Sequence, residues 1–110
     1  MKVSVDQPKA NVQRVVLEGR LDVAGTQAAE PQFNAAVAAG ANVIVDLGKV
    51  PFISSIGIRM LIAGAQSLAK KSGKMVLMNP DELARKILKT TGLDQLVPIC
   101  NSMDEALAKV

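Results

Sequence analysis

The residues best placed to do chemistry are two adjacent serines, Ser54 and Ser55. They follow the apolar run Val43-Ile44-Val45-Asp46-Leu47 and a short turn, and they stand where a strongly amphipathic helical pattern begins. A hydroxyl at a helix start faces backbone N–H groups that have no intrahelical partner, and the positive end of the helix dipole. Such a hydroxyl can cap the helix, hold an anion or carry a phosphate. Spacing alone favours the cap. Hydrolytic chemistry has little to work with, because the 110 residues contain no histidine, the usual general base and metal ligand. A Ser–Lys arrangement has no signature here. Cys100 is the single cysteine, so there is no internal disulfide; alone it holds no metal, and no histidine activates it. Asp46 reads as a strand-end carboxylate bonded to nearby backbone. No catalytic residue, metal site or cofactor is therefore expected, and no phosphate-cradling glycine loop is present.

The elements that must position the serines are those of one α/β domain spanning residues 1–110. Nearly half the residues are apolar but only two are aromatic, both Phe, so the core must be aliphatic. The scarcity of aromatic rings also removes the stacking platforms of a single-strand nucleic-acid binder. A net charge of +3 spread over scattered lysines and arginines carries no nucleic-acid footprint, and no nucleic-acid partner is expected. No long apolar run suggests membrane insertion, and the start Met1-Lys2-Val3-Ser4-Val5 is already strand-like, so a cytoplasmic setting is expected.

Val3 and Val5 mark a short first strand, residues 7–11 a turn, and Val12 to Glu18 a second strand with Val15 and Leu17 on one face and Val12 and Val16 on the other. Pro31 places the first regular helix at about residues 28–39, with Pro31 in its first turn, Ala29, Phe33, Ala36 and Val37 inward, and Gly40 as its stop. Val43 to Leu47 reads as a central strand covered on both faces. The next helix runs from about Ser55 to Lys71, with Ile58, Leu61, Ile62, Ala65, Leu68 and Ala69 as a buried stripe and Gly73 closing it. Off that stripe, Ile56, Met60, Ala63 and Ser67 form an expected exposed strip beside Ser55. Lys74 to Met78 is a fourth strand. Asn79, Pro80 and Glu82 suggest a capped helix start with Leu83, Ile87 and Leu88 inward and Gly92 as its end. Val97 to Cys100 is a fifth strand, demoted to an edge by Pro98, and Ser102 to Glu105 opens a final helix carrying Ala106, Leu107 and Val110. Alternating strands and helices imply an open mixed sheet of about five strands with four helices, mostly parallel after a first hairpin.

With those elements in order, the chain resembles the STAS domain family of bacterial anti-sigma factor antagonists. The resemblance rests on Glu18-Gly19-Arg20-Leu21-Asp22 after the second strand and on Val43 to Leu47 followed by Val50-Pro51-Phe52-Ile53-Ser54-Ser55-Ile56-Gly57-Ile58. Gly73-Lys74-Met75-Val76-Leu77 and Leu88-Lys89-Thr90-Thr91-Gly92-Leu93 support it. It implies a module that binds a serine-kinase anti-sigma factor when unphosphorylated, releases a sigma factor by partner switching, and is restored by a serine phosphatase. Aligned on the family glycine at Gly57, the phosphoacceptor falls on Ser55, with Ser54 second; Ser54 stands where the family often has aspartate, and Ile56 where it often has a small residue. Asp22 matches an acidic position near the serine. The implied partner-binding set is Asp22, Ser54, Ser55, Ile56, Gly57, Arg59 and Met60. Arg59, four residues beyond Ser55 on the same helix face, reads first as a solvated charge and second as a partner for a phosphoserine. Two rival expectations are a STAS subunit of a lipid-transport or other complex that is not phosphorylated, and a small hydrolase using Ser55.

Overall fold

Period-two alternation in the strands and a period near 3.6 in the helices sort the apolar residues into two unequal layers. The computed structural model describes all residues, 1–110. Five strands, β1 (Lys2–Lys9), β2 (Val12–Glu18), β3 (Asn42–Lys49), β4 (Met75–Met78) and β5 (Ile99–Cys100), form one sheet in the order β1-β2-β3-β4-β5. β1 and β2 pair antiparallel, and every later pair is parallel. The crossovers are made by α1 (Val23–Ala39), α2 (Ser55–Ala69) and α3 (Glu82–Thr90), the last followed by a 3-10 turn at Leu93–Gln95; α4 (Met103–Lys109) closes the chain. The single domain with a mixed five-stranded sheet and four helices matches the sequence expectation. No helix is long and apolar enough to cross a membrane.

The larger core lies on one face of the sheet. Val15, Leu17, Val43, Val45, Leu47, Met75 and Leu77 point there and meet Phe33 and Val37 of α1, Leu61 and Leu68 of α2, and Leu88 of α3. The alternate residues Val12, Ile44, Val76, Met78 and Cys100 face the other way and are covered by Ala106, Met103, Leu107 and Val110 around α4. β3 is thus covered on both faces, as its continuous apolar run requires. At Gly64 an added Cβ would lie 2.7 Å from the Phe33 ring, so α1 and α2 approach too closely there for any side chain. Lys71, just past α2, donates through Nζ to the carbonyls of Val37 (2.7 Å), Ala38 (3.3 Å) and Gly40 (3.0 Å) and so satisfies the free carbonyl end of α1.

Several local expectations are corrected. β1 extends through Pro8 to Lys9, because an edge strand tolerates proline, and the turn shrinks to Ala10 and Asn11, the latter with φ 65°. α1 begins at Val23 rather than about residue 28, because Asp22 caps it, and Pro31 lies inside it. Pro31 and Gln27 are both exposed, so water can take the Gln27 carbonyl that loses its partner. α2 ends at Ala69, which is exposed. The start of α3 is capped by Asp81, not Asn79, and the later cap leaves Leu83 in solvent while Ala84 and Leu88 point inward. β5 is shorter than expected because the 3-10 turn occupies the chain before Val97.

Candidate functional site

The site begins where β2 and β3 leave the sheet. Their exit loops run side by side in parallel register: Gly19 N–H donates to Lys49 O (2.9 Å), Leu21 N–H to Phe52 O (2.9 Å) and Ser54 N–H to Leu21 O (2.8 Å), with Leu21 and Ile53 bridged. Leu21 and Ile53 are buried. Their neighbours Arg20, Asp22, Phe52 and Ser54 therefore turn to the outer side of the paired loops. There the Arg20 guanidinium lies 4.6 Å from the centre of the Phe52 ring, and its Nε is 3.9 Å from Asp22 Oδ2. A cation over an aromatic face at an exposed site contributes about 0.5–1 kcal/mol.

Each loop then turns into a helix in the same way. Asp22 Oδ1 accepts from Gly25 N–H at 2.8 Å to cap α1, and Ser54 Oγ accepts from Gly57 N–H at 3.3 Å to cap α2. Leu21-Asp22-Val23-Ala24-Gly25 and Ile53-Ser54-Ser55-Ile56-Gly57 are thus structural counterparts. Close approach excludes a side chain at Gly25 and crowds one at Gly57. A Cβ on Gly25 would fall 1.9 Å from Arg20 O, and one on Gly57 would fall 3.1 Å from Leu21 Cβ and Leu21 O. The Ser54 hydroxyl also donates to Leu21 O at 2.7 Å, tying the start of α2 to the loop before α1. Ser54 is thereby fully engaged as donor and acceptor.

The first helical residues are different. Ser55 is exposed and its hydroxyl has no hydrogen-bond partner in the chain. Its counterpart Val23 is 57% exposed, an uncommon setting for a large apolar side chain at a helix start. Ile56 is half-buried, Gly57 is buried against Leu21, and Arg59 is exposed and enters no ion pair. Met60 is corrected: only 6% of it is exposed, and it belongs to the main core instead of an outer strip. With Gly64 pressed on Phe33, the inward arc of α2 includes Gly57, Met60, Leu61, Gly64 and Leu68, which carries Met60 inside. Ala63 and Ser67 stay exposed.

The structure therefore brings together Asp22, Ser54, Ser55 and Arg59, leaves Ile56 and Gly57 as supports beneath them, and withdraws Met60. It adds Arg20, Val23 and Phe52, which sequence reasoning did not single out as site residues. The repeated apolar-polar-x-x-Gly pattern after β2 and β3 is the signal that could have found Val23. Neither α1 nor α2 has an acidic residue in its first turn. Arg20, Asp22 and Arg59, on the two loops and the first turns that follow them, together carry one net positive charge.

Comparison with known proteins identifies the family and the fold. The family model for the STAS domain matches residues 7–106. The chain is 30% identical over 93 residues to BtrV of Bordetella bronchiseptica, which carries the provisional name of an anti-sigma factor antagonist; the match covers 84% of this chain and 80% of that one. The crystal structure of an anti-sigma factor antagonist from Mycobacterium paratuberculosis superposes with a TM-score of 0.88 at 28% identity, covering 99% of this chain and 92% of that one. SpoIIAA of Bacillus in its phosphorylated form shares the fold at a TM-score of 0.75 and 19% identity, with 98% of each chain covered.

Proposed function

Because the chain belongs to the STAS domain family, we propose that it is an anti-sigma factor antagonist whose docking to a serine-kinase anti-sigma factor is controlled by phosphorylation of Ser55. The observation that carries the choice of Ser55 is the division of labour between the two serines. Ser54 Oγ is occupied on both sides by Leu21 O and Gly57 N–H, whereas Ser55 is exposed with a free hydroxyl. Ser54 also supplies the acceptor that an aspartate supplies at the start of α1, so its place in a position often held by aspartate leaves the local structure intact.

In the unmodified state Ser55 is small and neutral, and together with Val23 it offers a surface that an apolar partner face can cover. The kinase transfers the γ-phosphoryl group of ATP to Ser55 Oγ: a new O–P bond forms, the bond to ADP breaks, and the hydroxyl proton leaves to a base of the kinase. The phosphate brings about −1.5 to −2 charges at neutral pH. Re-docking must then strip water from that charge, which costs several kcal/mol at order of magnitude unless it is paired. Hydrolysis of the O–P bond by a serine phosphatase restores the docking form. The chain is a substrate and a binding module and performs no catalysis itself.

The test is phosphorylation by kinase-type anti-sigma factors of the same genome with ATP and Mg²⁺, read by intact mass and peptide mapping. A single phosphate on Ser55, absent from Ser55→Ala and accompanied by release from the kinase, is the expected result. Modification of Ser54 instead, or none by any candidate alongside a stable complex with a non-kinase partner, overturns the reading.

A further inference from the structure

Arg20 is held in a way that an exposed arginine ordinarily is not. Its side chain is 60% exposed, yet the guanidinium stacks 4.6 Å from the Phe52 ring centre and its Nε lies 3.9 Å from Asp22 Oδ2. The Leu21–Ile53 bridge sets Arg20 beside Phe52 and Asp22 beside Ser54. Arg20 and Asp22 thus lie on the outer side of the paired loops beside Phe52 and Ser54, the residues that lead into α2, where Ser55 is free. One helical turn beyond Ser55 stands the exposed Arg59, which enters no ion pair. Asp22 is the one carboxylate within this group.

We propose, resting on the reading of Ser55 above, that Arg20 and Arg59 form a cationic clasp around Ser55 that is shared between two anions in turn. With Ser55 unmodified, the clasp reads an acidic patch on the partner surface. With Ser55 phosphorylated, the phosphate takes both arginines for itself. The charge balance supports this exchange: two guanidinium groups and one carboxylate leave the surface with one net positive charge, and a phosphate of about −1.5 to −2 inverts its sign. One event removes the complementary charge, occupies the donors and sets like charge against the partner's acids. Guanidinium suits the task because it stays charged and presents a planar set of donors to either carboxylate or phosphate.

The test uses the full chain with phosphoserine installed at position 55 by genetic code expansion, and follows the second ionisation of the phosphate by ³¹P NMR. Cations beside a phosphate favour its dianion. Arg20→Gln and Arg59→Gln are each expected to raise that ionisation by a few tenths of a pH unit, and the pair by roughly one unit, at low salt. Equal titration of wild type and Arg20→Gln overturns the clasp. With the kinase identified by modification of Ser55, Arg20→Glu is expected to weaken the complex of the unphosphorylated chain tenfold or more, and rising salt to weaken the wild-type complex. Unchanged affinity overturns the partner half. Failure of every kinase to modify Ser55 is a separate outcome, seen by mass, and leaves the titration of installed phosphoserine readable.

Discussion

All four helices start with the same local bond, yet only two of the starts are tied to each other. Asp22, Ser54, Asp81 and Ser102 each accept from the backbone N–H three residues on, at Gly25, Gly57, Ala84 and Glu105. At α3 and α4 the matter ends there, with acids already present in the first turn: Glu82 for α3, Asp104 and Glu105 for α4. These acids already complement the positive helix end. At α1 and α2 the third helical residue is a glycine pressed against neighbouring backbone, the first turn has no acid, and the Ser54 hydroxyl reaches across 33 residues of sequence to Leu21 O. Capping is cheap local chemistry. The starts of α1 and α2 differ in being tied together through Ser54 and Leu21 and in having positive ends that no first-turn acid complements.

The strongest way to break the contrast is at the glycine of α1. Gly25→Ala puts a Cβ 1.9 Å from Arg20 O, a backbone atom that must move. The expected loss is about 3 kcal/mol, despite the better helix propensity of alanine, seen as a lower urea midpoint. Next comes Ser54→Ala, expected to lose about 1–2 kcal/mol in the same assay, because the cap and the bond to Leu21 O go together. Asp81→Ala should cost about 1 kcal/mol at most, with faster amide hydrogen exchange confined to α3. Ser55→Ala should stay within about 0.5 kcal/mol of wild type. A Ser55→Ala loss equal to that of Ser54→Ala would erase the division of roles between the serines.

Another modest effect lies away from all four helix starts. Burial beneath α4 pushes the Cys100 thiol above its ordinary value. The folded chain therefore keeps that proton after the unfolded chain has released it, and stability falls as pH rises above about 8.5, the range of an unfolded thiol. The expected difference is below about 1 kcal/mol by pH 9, measured as the change in urea midpoint from pH 7.5, and it should vanish in Cys100→Ala.

Much of this architecture is legible in the sequence because it depends on period. The run Val43 to Leu47, the stripe Ile58-Leu61-Leu68 and the faces of β2 all appear in the structure as their spacing requires. What escapes is set by contacts distant in sequence. Pro31 pulls the expected start of α1 toward itself, but the cap at Asp22 and the buried Gly25 and Thr26 extend the helix past it on the other side. Two candidate caps compete before α3, and Asp81 wins over Asn79, which rotates Leu83 outward. Met60 looks exposed until Gly64 and Phe33 fix the roll of α2. The same holds for the site. Ser54 and Ser55 announce themselves through a strand-turn-helix pattern, whereas the stacking of Arg20 on Phe52 exists only after two loops have been laid in register.

The ties of Lys71 to the end of α1, opposite those of Ser54 near its start, have a mechanical meaning. With α1 and α2 lashed together at both ends and meeting without a side chain at Gly64, neither helix would be free to slide if Ser55 were phosphorylated as proposed. A signal written there would have no lever to pull. It would be legible only on the outside, as altered charge and shape, and its tempo would be governed by how fast the mark is written, how fast it is erased and how long a partner stays bound, with no internal rearrangement to wait for.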